Sequence, residues 1–386
     1  MTTAEQGKGR HVLHVTACID GGVPRYVAAL VEDQLDRGWA VAVAGPGGGD
    51  LEVLLAGKDA KLVPWAARRD PSISVLGEIV RLRRIVRELE PDLVHLHSSK
   101  AGLAGRLALR SRVPTIFTPH AWSFEAVRGV TRSIARAWEA VAARWSDAIV
   151  CVSEAERDRG ASEFGAEWRV VSTGVDLAGL TEGSDDDRRA ARARLGLRDA
   201  PLVVCVGRLC EQKGQDVLLR AWPAVANGVS GAQLALVGDG PDAEKLRALA
   251  SPGVLFPGAR NNVKDWLAAA DVVAVPSRWE GMSLVVLEAL ASGRSIVMSD
   301  VDGARETVEG IGAVVPREDP NALAAALVER LVDPEKAAAE GRKGRARAEA
   351  FHDFTRAADG IASVYDDVLR ARTAPADTRE IPASVG

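Results

Sequence analysis

No run of about 18 uncharged apolar residues occurs in the 386 positions, so the sequence offers no membrane-spanning helix. The opening MTTAEQGKGR lacks the apolar segment of a signal peptide, and a strand-like stretch follows at once. Cysteine is scarce. Cys18, Cys151, Cys205 and Cys210 are scattered, with no CxxC pair and no Cys/His cluster at zinc spacing, which suits small buried thiols in a reducing cytoplasm. A basic excess is missing too. The formal net charge is −4 and the pI about 6.0, which argues against a nucleic-acid-binding protein.

What is present is an ordinary soluble composition, 47% hydrophobic and 26% charged, at a length that suits two domains. Charge is uneven along it. Residues 51–150 hold 16 Lys and Arg against 10 Asp and Glu, a local balance of +6 that leaves −10 for the rest. The arginines fall in two helix-like stretches, Arg81, Arg83, Arg84 and Arg87, then Arg128, Arg132, Arg136 and Arg144. Solvated helix faces account for them. A face that meets phosphates of a membrane or a lipid-linked substrate is the sharper alternative.

Short apolar runs alternate with amphipathic stretches. In the first half HVLHVTA, AVAVAG, LVHLH, TIFTP and AIVCVS predict strands, with helical patterns at 24–37, 74–89, 100–110 and 130–145 between them. In the second half PLVVCVG, QLALVG, VLFPG, VVAVPS, SIVMSD and GAVVP repeat the theme, with helices at 214–226, 241–249, 262–269, 283–292, 303–309 and 320–332. Such alternation means βαβ units and parallel sheets covered on both faces, an α/β fold class. The polar segment 176–196 separates the two runs. The division expected is 1–178, 179–351, a terminal helix at 352–373 that packs back across the hinge, and a disordered tail at 374–386.

Open parallel sheets bind ligands beyond the carboxyl ends of their strands, so the chemistry should lie in those loops. Asp20-Gly21-Gly22-Val23-Pro24 precedes a helix and could admit a phosphate, though a tight turn serves equally; GPGGGD (45–50) is taken as a turn. Gly238 to Ala243 matches the G-x-G-x-x-A dinucleotide pattern, but it follows an internal strand of the second domain and Pro241 fits a first helical turn. A structural or phosphate-contacting turn is preferred there to an NAD site. Asp185-Asp186-Asp187 imitates a metal motif but suits the first turn of a helix. In GRLCEQKG, Arg208 and Lys213 stand five apart after Gly207, where two cations can neutralise a diphosphate or simply face solvent.

The most apolar helix candidate, in WEGMSLVVLEAL, carries Glu288 among leucines, valines and alanines, while Glu280 lies at the carboxyl edge of the preceding strand. A buried carboxylate needs donors, either a basic side chain or a pair of ligand hydroxyls, and spacing alone leaves both open.

Together GRLCEQKG, VGDGP, PSRWEGMSLVVLEALASG and SDVDGARE closely resemble the retaining glycosyltransferases of family four, whose signature is the E-x7-E pair. DGGVPRYVAAL, PDLVHLHSSKAG, TPHAW and STGVDL in the first half agree, so the resemblance covers about residues 11–370. It implies a GT-B fold, two Rossmann-like doubly wound domains facing a cleft, the first binding the acceptor and the second the nucleotide-sugar donor. It implies that Arg208 and Lys213 hold the donor diphosphate, Glu288 the ribose hydroxyls and Glu280 the sugar hydroxyls. The Gly281, Met282, Ser283 and Leu284 amides would meet the sugar and diphosphate. Gly22 belongs to the glycine loop near the phosphates, Gly207 to the donor loop, His120 lies by the sugar in the reactive cleft, and Arg260 is in the loop that usually contacts the base. Thr173 stands where the family often has asparagine.

The resemblance further implies retention at the anomeric carbon, no metal and no cofactor, the UDP- or GDP-linked sugar being substrate. Sugar-nucleotide epimerase or phosphorylase activity on the same fold, and a non-catalytic nucleotide-sugar-binding subunit, are the competing readings. The acceptor is expected to be a saccharide, a lipid-linked molecule or a small molecule, in polysaccharide or glycoconjugate synthesis. No nucleic-acid partner is expected. The basic stretches, with Trp122, Phe124, Trp138 and Trp145 near the second, lean toward a lipid-linked acceptor and a cytoplasmic protein in peripheral contact with the inner face of the membrane.

Overall fold

A computed structural model describes residues 9–67, 75–180 and 183–373. The expected tail at 374–386 lies outside these residues. Two parallel sheets organise the chain. The first holds β1 (His11–Thr16), β2 (Ala40–Gly45), β3 (Lys61–Pro64), β4 (Leu93–His97), β5 (Thr115–Thr118), β6 (Ala148–Cys151) and β7 (Trp168–Val170), in the order β3-β2-β1-β4-β5-β6-β7. The second holds β8 (Leu202–Val206), β9 (Gln233–Val237), β10 (Val254–Gly258), β11 (Val272–Val275), β12 (Ser295–Ser299) and β13 (Ala313–Val315), in the order β10-β9-β8-β11-β12-β13. The strand order reverses beside β1 in one sheet and β8 in the other, and each reversal opens a crevice at the carboxyl ends. The central strands are almost wholly buried because helices cover both faces, which is why they are rich in Val and Leu.

Every strand expected in either half forms. β3 and β7 escape sequence reading: they are edge strands of four and three residues, one ending in Pro64, the other in a charged stretch. GPGGGD, taken as a turn, runs on into α2 (Gly49–Leu55), whose apolar side rests on Leu51 and Leu55. Two further helices were not anticipated, α6 (Glu154–Ala161) and α14 (Pro334–Phe351). The first is almost wholly polar, and the second buries only Ala337, Gly341, Gly344 and Ala348, so neither carries an apolar stripe of large residues.

The aspartate run opens α7 (Asp185–Leu195). Ser184 and Asp187 form a capping box, and Asp185 and Asp186 pair with Arg188 and Arg189 one turn on. The dinucleotide-like loop is a backbone-packed turn. A side chain at Gly238 would meet the Gly207 carbonyl at 2.0 Å, and Leu209 and Asp239 are joined by a 3.0 Å main-chain bond.

The chain crosses between domains twice, and the two crossings pair. Val175 N–H donates to the His352 carbonyl (2.9 Å), and Phe354 N–H donates to Val175 (3.2 Å). α15 (Phe354–Thr373) then packs on the first sheet, placing Ile361, Val364, Tyr365 and Val368 against Val12, Leu93, Ile116 and Val150.

Candidate active site

The carboxyl edge of β8 delivers the first cations. Gly207 (φ 153°) turns the chain out of the strand, a short helical turn spans Glu211–Lys213, and Gly214 (φ 65°) ends it so tightly that a Cβ would meet the Pro276 carbonyl at 2.0 Å. Arg208 is exposed and has no side-chain partner among the described residues, whereas Lys213 pairs with Glu280. The Glu280 carboxylate is 8% exposed and also accepts from Ser277 Oγ at 2.8 Å. The sequence placed these two residues 67 positions apart, and the switch point of the second sheet brings them into contact.

Just beyond Glu280 the backbone of Gly281 presses on the first domain. A side chain there would lie 2.9 Å from the His120 carbonyl carbon and 3.0 Å from Ala121 N. Ser283 is the N-cap of α11 (Leu284–Ala291) but provides no side-chain cap, so the amides of Leu284 and Val285 stay available to an anion. Met282 reaches across to Ser172, whose hydroxyl donates to its sulfur at 3.4 Å, and Leu284 lies 3.5 Å from where a Cβ of Gly22 would be. Gly22 opens α1 (Gly22–Asp36) directly opposite α11. Arg260 is exposed on the loop after β10 and takes no part in this cluster through any side-chain bond among the described residues.

Glu288 resolves the alternatives left by spacing. Its Oε1 pairs with the Arg25 guanidinium from α1 of the first domain, while its Oε2 is buried with no hydrogen-bond partner. The carboxylate is 6% exposed and Arg25 36%, so a protein cation fills half of the need and leaves the other half open. Arg25 lies just inside α1, and nothing in its local sequence names Glu288 as its partner.

Other contacts that sequence reasoning missed also cross the cleft. Glu306 of α12 (Ala304–Val308) caps the first-domain helix α6, accepting from the amides of Ala155 (2.6 Å) and Glu154 (3.1 Å). Asp302 receives two bonds from Arg159, at 2.6 and 2.5 Å. Both acidic residues sit in SDVDGARE, but nothing in that stretch names partners about 150 positions away. Glu156 accepts from the amides of Ala121 (2.7 Å) and Val152 (2.8 Å), and complete burial pushes its carboxyl up to about 8.

His120 follows β5 in a left-handed conformation (φ 56°), as does Ala121 (φ 120°), which turns the loop toward Gly281. Its Nε2 lies 3.2 Å from His97 Nδ1, and its packed surroundings bring its imidazole down to about 3, so it is neutral at ordinary pH.

Of the aromatic group near the basic stretch, Trp122 and Phe124 are core residues, stacked at 5.5 Å, while Trp138 and Trp145 are half-buried. Arg83 is equally structural, donating to the Leu107 and Ala108 carbonyls of α4 (Ser98–Leu109) from α3 (Val75–Leu89). The outer face of α5 (Gly129–Ala143) does present Val130, Ile134 and Val141 to solvent beside Arg132. Among the described residues no helix is long and apolar enough to cross a membrane.

Two doubly wound domains with cations on one lip and carboxylates around an uncapped helix N-terminus define a GT-B glycosyltransferase. The chain belongs to glycosyltransferase family four. Residues 20–178 match the description "Glycosyltransferase Family 4", and residues 200–333 match "Glycosyl transferases group 1". It is 36% identical over 298 residues to the GDP-mannose-dependent alpha-(1-6)-phosphatidylinositol monomannoside mannosyltransferase of Mycobacterium tuberculosis, covering 69% of this chain and 73% of that protein. It is 37% identical over 220 residues to the GDP-mannose-dependent monoacylated alpha-(1-6)-phosphatidylinositol monomannoside mannosyltransferase of Corynebacterium glutamicum, covering 53% of this chain but only 58% of that protein. In architecture it is similar to Anabaena HepE, solved in complex with UDP and glucose, with a TM-score of 0.78 at 22% identity over 92% of this chain and 99% of that one. The two bacterial relatives are mannosyltransferases, and neither the epimerase or phosphorylase reading nor the binding-subunit reading gains support.

Proposed function

We propose that the protein moves a hexose from a nucleoside-diphosphate sugar to a hydroxyl of a lipid-linked or inositol-bearing acceptor, with retention at the anomeric carbon and without a metal ion. The observation that carries this reading is the pairing of Lys213 with Glu280 just ahead of α11, whose own Glu288 keeps one buried oxygen without a partner. Arg208 and Lys213 neutralise the diphosphate in the place a metal would otherwise take, and the α11 amides add their dipoles. Glu280 reads sugar hydroxyls, and the unpartnered oxygen of Glu288 reads the ribose. Attack comes from the face the leaving phosphate occupies, and that phosphate accepts the acceptor's proton.

Mannosyltransferase names among the relatives favour GDP-mannose as donor, with a UDP-sugar as the alternative. Contact with an anionic membrane surface through α5 fits a lipid-linked acceptor, since Val130, Ile134 and Val141 stand exposed beside arginines. Liposome co-sedimentation that is lost at high salt tests this contact.

A nucleotide-sugar panel, followed by turnover and anomer determination by NMR, tests the reaction. Lys213→Ala and Glu280→Ala should each abolish most transfer, and full activity in both would remove the site assignment. Activity lost on adding EDTA would remove metal independence.

A further inference from the structure

Beneath the first-domain lip of the cleft lie two buried runs of hydrogen bonds. His14 on β1 and His97 on β4 face each other on adjacent central strands, with His14 Nδ1 2.9 Å from His97 Nε2. His14 Nε2 lies 2.9 Å from Gln34 Oε1 on α1. His97 Nδ1 reaches His120 Nε2 at 3.2 Å. Beside them, the Tyr365 hydroxyl of α15 lies 2.7 Å from His95 Nδ1. His95 Nε2 completes this second run at Thr118 Oγ1, 2.8 Å away.

His14, His95 and His97 bring ring nitrogens within 4.8 Å of one another, a spacing that could hold a metal. All six of their nitrogens are already engaged, however, with Gln34, Tyr365, Thr118, His120 or each other. The arrangement is a pair of hydrogen-bonded runs rather than an open ligand set. Burial holds all of these imidazoles below their ordinary range, so each carries one proton and can donate from one nitrogen only.

A neutral imidazole that donates from one nitrogen must accept at the other, so one fixed end sets the sense of the whole run. Gln34 Oε1 can only accept, which puts the His14 proton on Nε2 and leaves Nδ1 as acceptor. His97 must then donate from Nε2 and accept at Nδ1, and His120 must donate from Nε2. We infer that Gln34, His14 and His97 are positioning residues that fix His120 as its Nε2–H tautomer, so that its Nδ1 accepts a hydrogen bond from a sugar hydroxyl in the cleft. Among the described residues that Nδ1 has no protein partner, and the left-handed backbone at His120 and Ala121 sets the loop against Gly281. The role at the sugar rests on the transferase reading; the tautomer does not.

Long-range 1H–15N correlation NMR on the full-length, 15N-histidine-labelled chain reads this directly. The protein has six histidines, and single His→Gln substitutions assign their signals. The expected spectrum shows a pyrrole-type Nε2 and a pyridine-type Nδ1 at His120, and the same pattern at His14 and His97. Gln34→Leu removes the anchor, and His120 should then become a mixture of tautomers. Transfer kcat should fall about three- to tenfold, the value of one hydrogen bond, with donor KM unchanged. A protonated Nδ1 at His120 in the unsubstituted protein overturns the inference, as does a tautomer indifferent to Gln34→Leu. If Gln34→Leu does not fold, the unsubstituted spectrum decides alone. The spectrum needs no sugar substrate, so a chain that shows the tautomer but transfers nothing would overturn the proposed reaction and leave the tautomer assignment standing.

Discussion

The two sheets share a strand order around their switch points, yet their carboxyl edges carry opposite chemistry. Behind the first-domain lip lie buried neutral groups, His14, His97, Gln34 and Tyr365, with His120 at the cleft end. The second-domain lip is ionic, with Arg208, Lys213, Glu280 and Glu288. One topology thus supports either a set of fixed dipoles or a set of charges, depending on the residues that follow each strand. On the proposed reaction, the ionic edge would compensate the donor diphosphate and the neutral edge would face the sugar and the acceptor hydroxyl.

The sharpest way to break this contrast is to remove charge from the ionic lip. Arg208→Ala deletes a cation that has no side-chain partner among the described residues, so its loss should fall on the donor phosphates. Steady-state kinetics should show kcat/KM lower by about 10²–10³-fold, with little change in melting temperature. An unchanged kcat/KM would mean that Arg208 is a solvated surface residue.

A smaller effect should come from the Arg25–Glu288 pair, one of the ion pairs that join the two domains. Arg25→Ala leaves the Glu288 carboxylate buried without any donor in the closed arrangement, but Arg25 is 36% exposed, which weakens the pair. The expected cost in unfolding free energy is roughly 1–2 kcal/mol. Affinity for the free nucleotide should rise, because the ribose no longer competes with a guanidinium. Isothermal titration calorimetry with GDP and UDP would check it, and weaker binding would show that Arg25 serves the ligand instead.

Glu156 concerns pH. Its carboxyl stands near 8 when folded against 4.5 for an ordinary glutamate, so between these values the folded protein holds a proton that the unfolded chain has released. Its contribution to stability is complete below about 4.5 and is lost as pH rises through about 8. Glu125, raised by burial and by Asp302 to about 7, acts with the same sign. Denaturant unfolding from pH 5 to 8 should show this decline, and Glu156→Gln should flatten it while weakening one of the two amide bonds to the loop at Ala121.

How much of this could be read in advance depended on distance along the chain. The strand runs and E-x7-E were legible because each is local: an apolar run, or two glutamates eight residues apart across a strand end and a helix. The topology that carries Lys213 to Glu280 followed from the alternation of strands and helices. What stayed hidden joins the domains. Arg25 and Glu288 are 263 positions apart, and nothing in either neighbourhood requires the other. The histidines of HVLHVT and LVHLH were visible as letters in strands, but their alignment depends on β1 lying beside β4, with His14 in register with His95. β7 and α6 were missed because edge strands and polar helices gain their stability from neighbours rather than from their own pattern.

The crossing of α15 has a consequence for engineering chimeras. Ile361, Val364 and Tyr365 complete the core of the first domain although they follow the whole of the second in sequence. A donor half exchanged at the linker alone would bring a foreign helix to that core and set a new residue opposite His95. A graft meant to change the nucleotide sugar should therefore have two junctions, one near residue 178 and one between α14 and α15, so that the recipient keeps its own terminal helix.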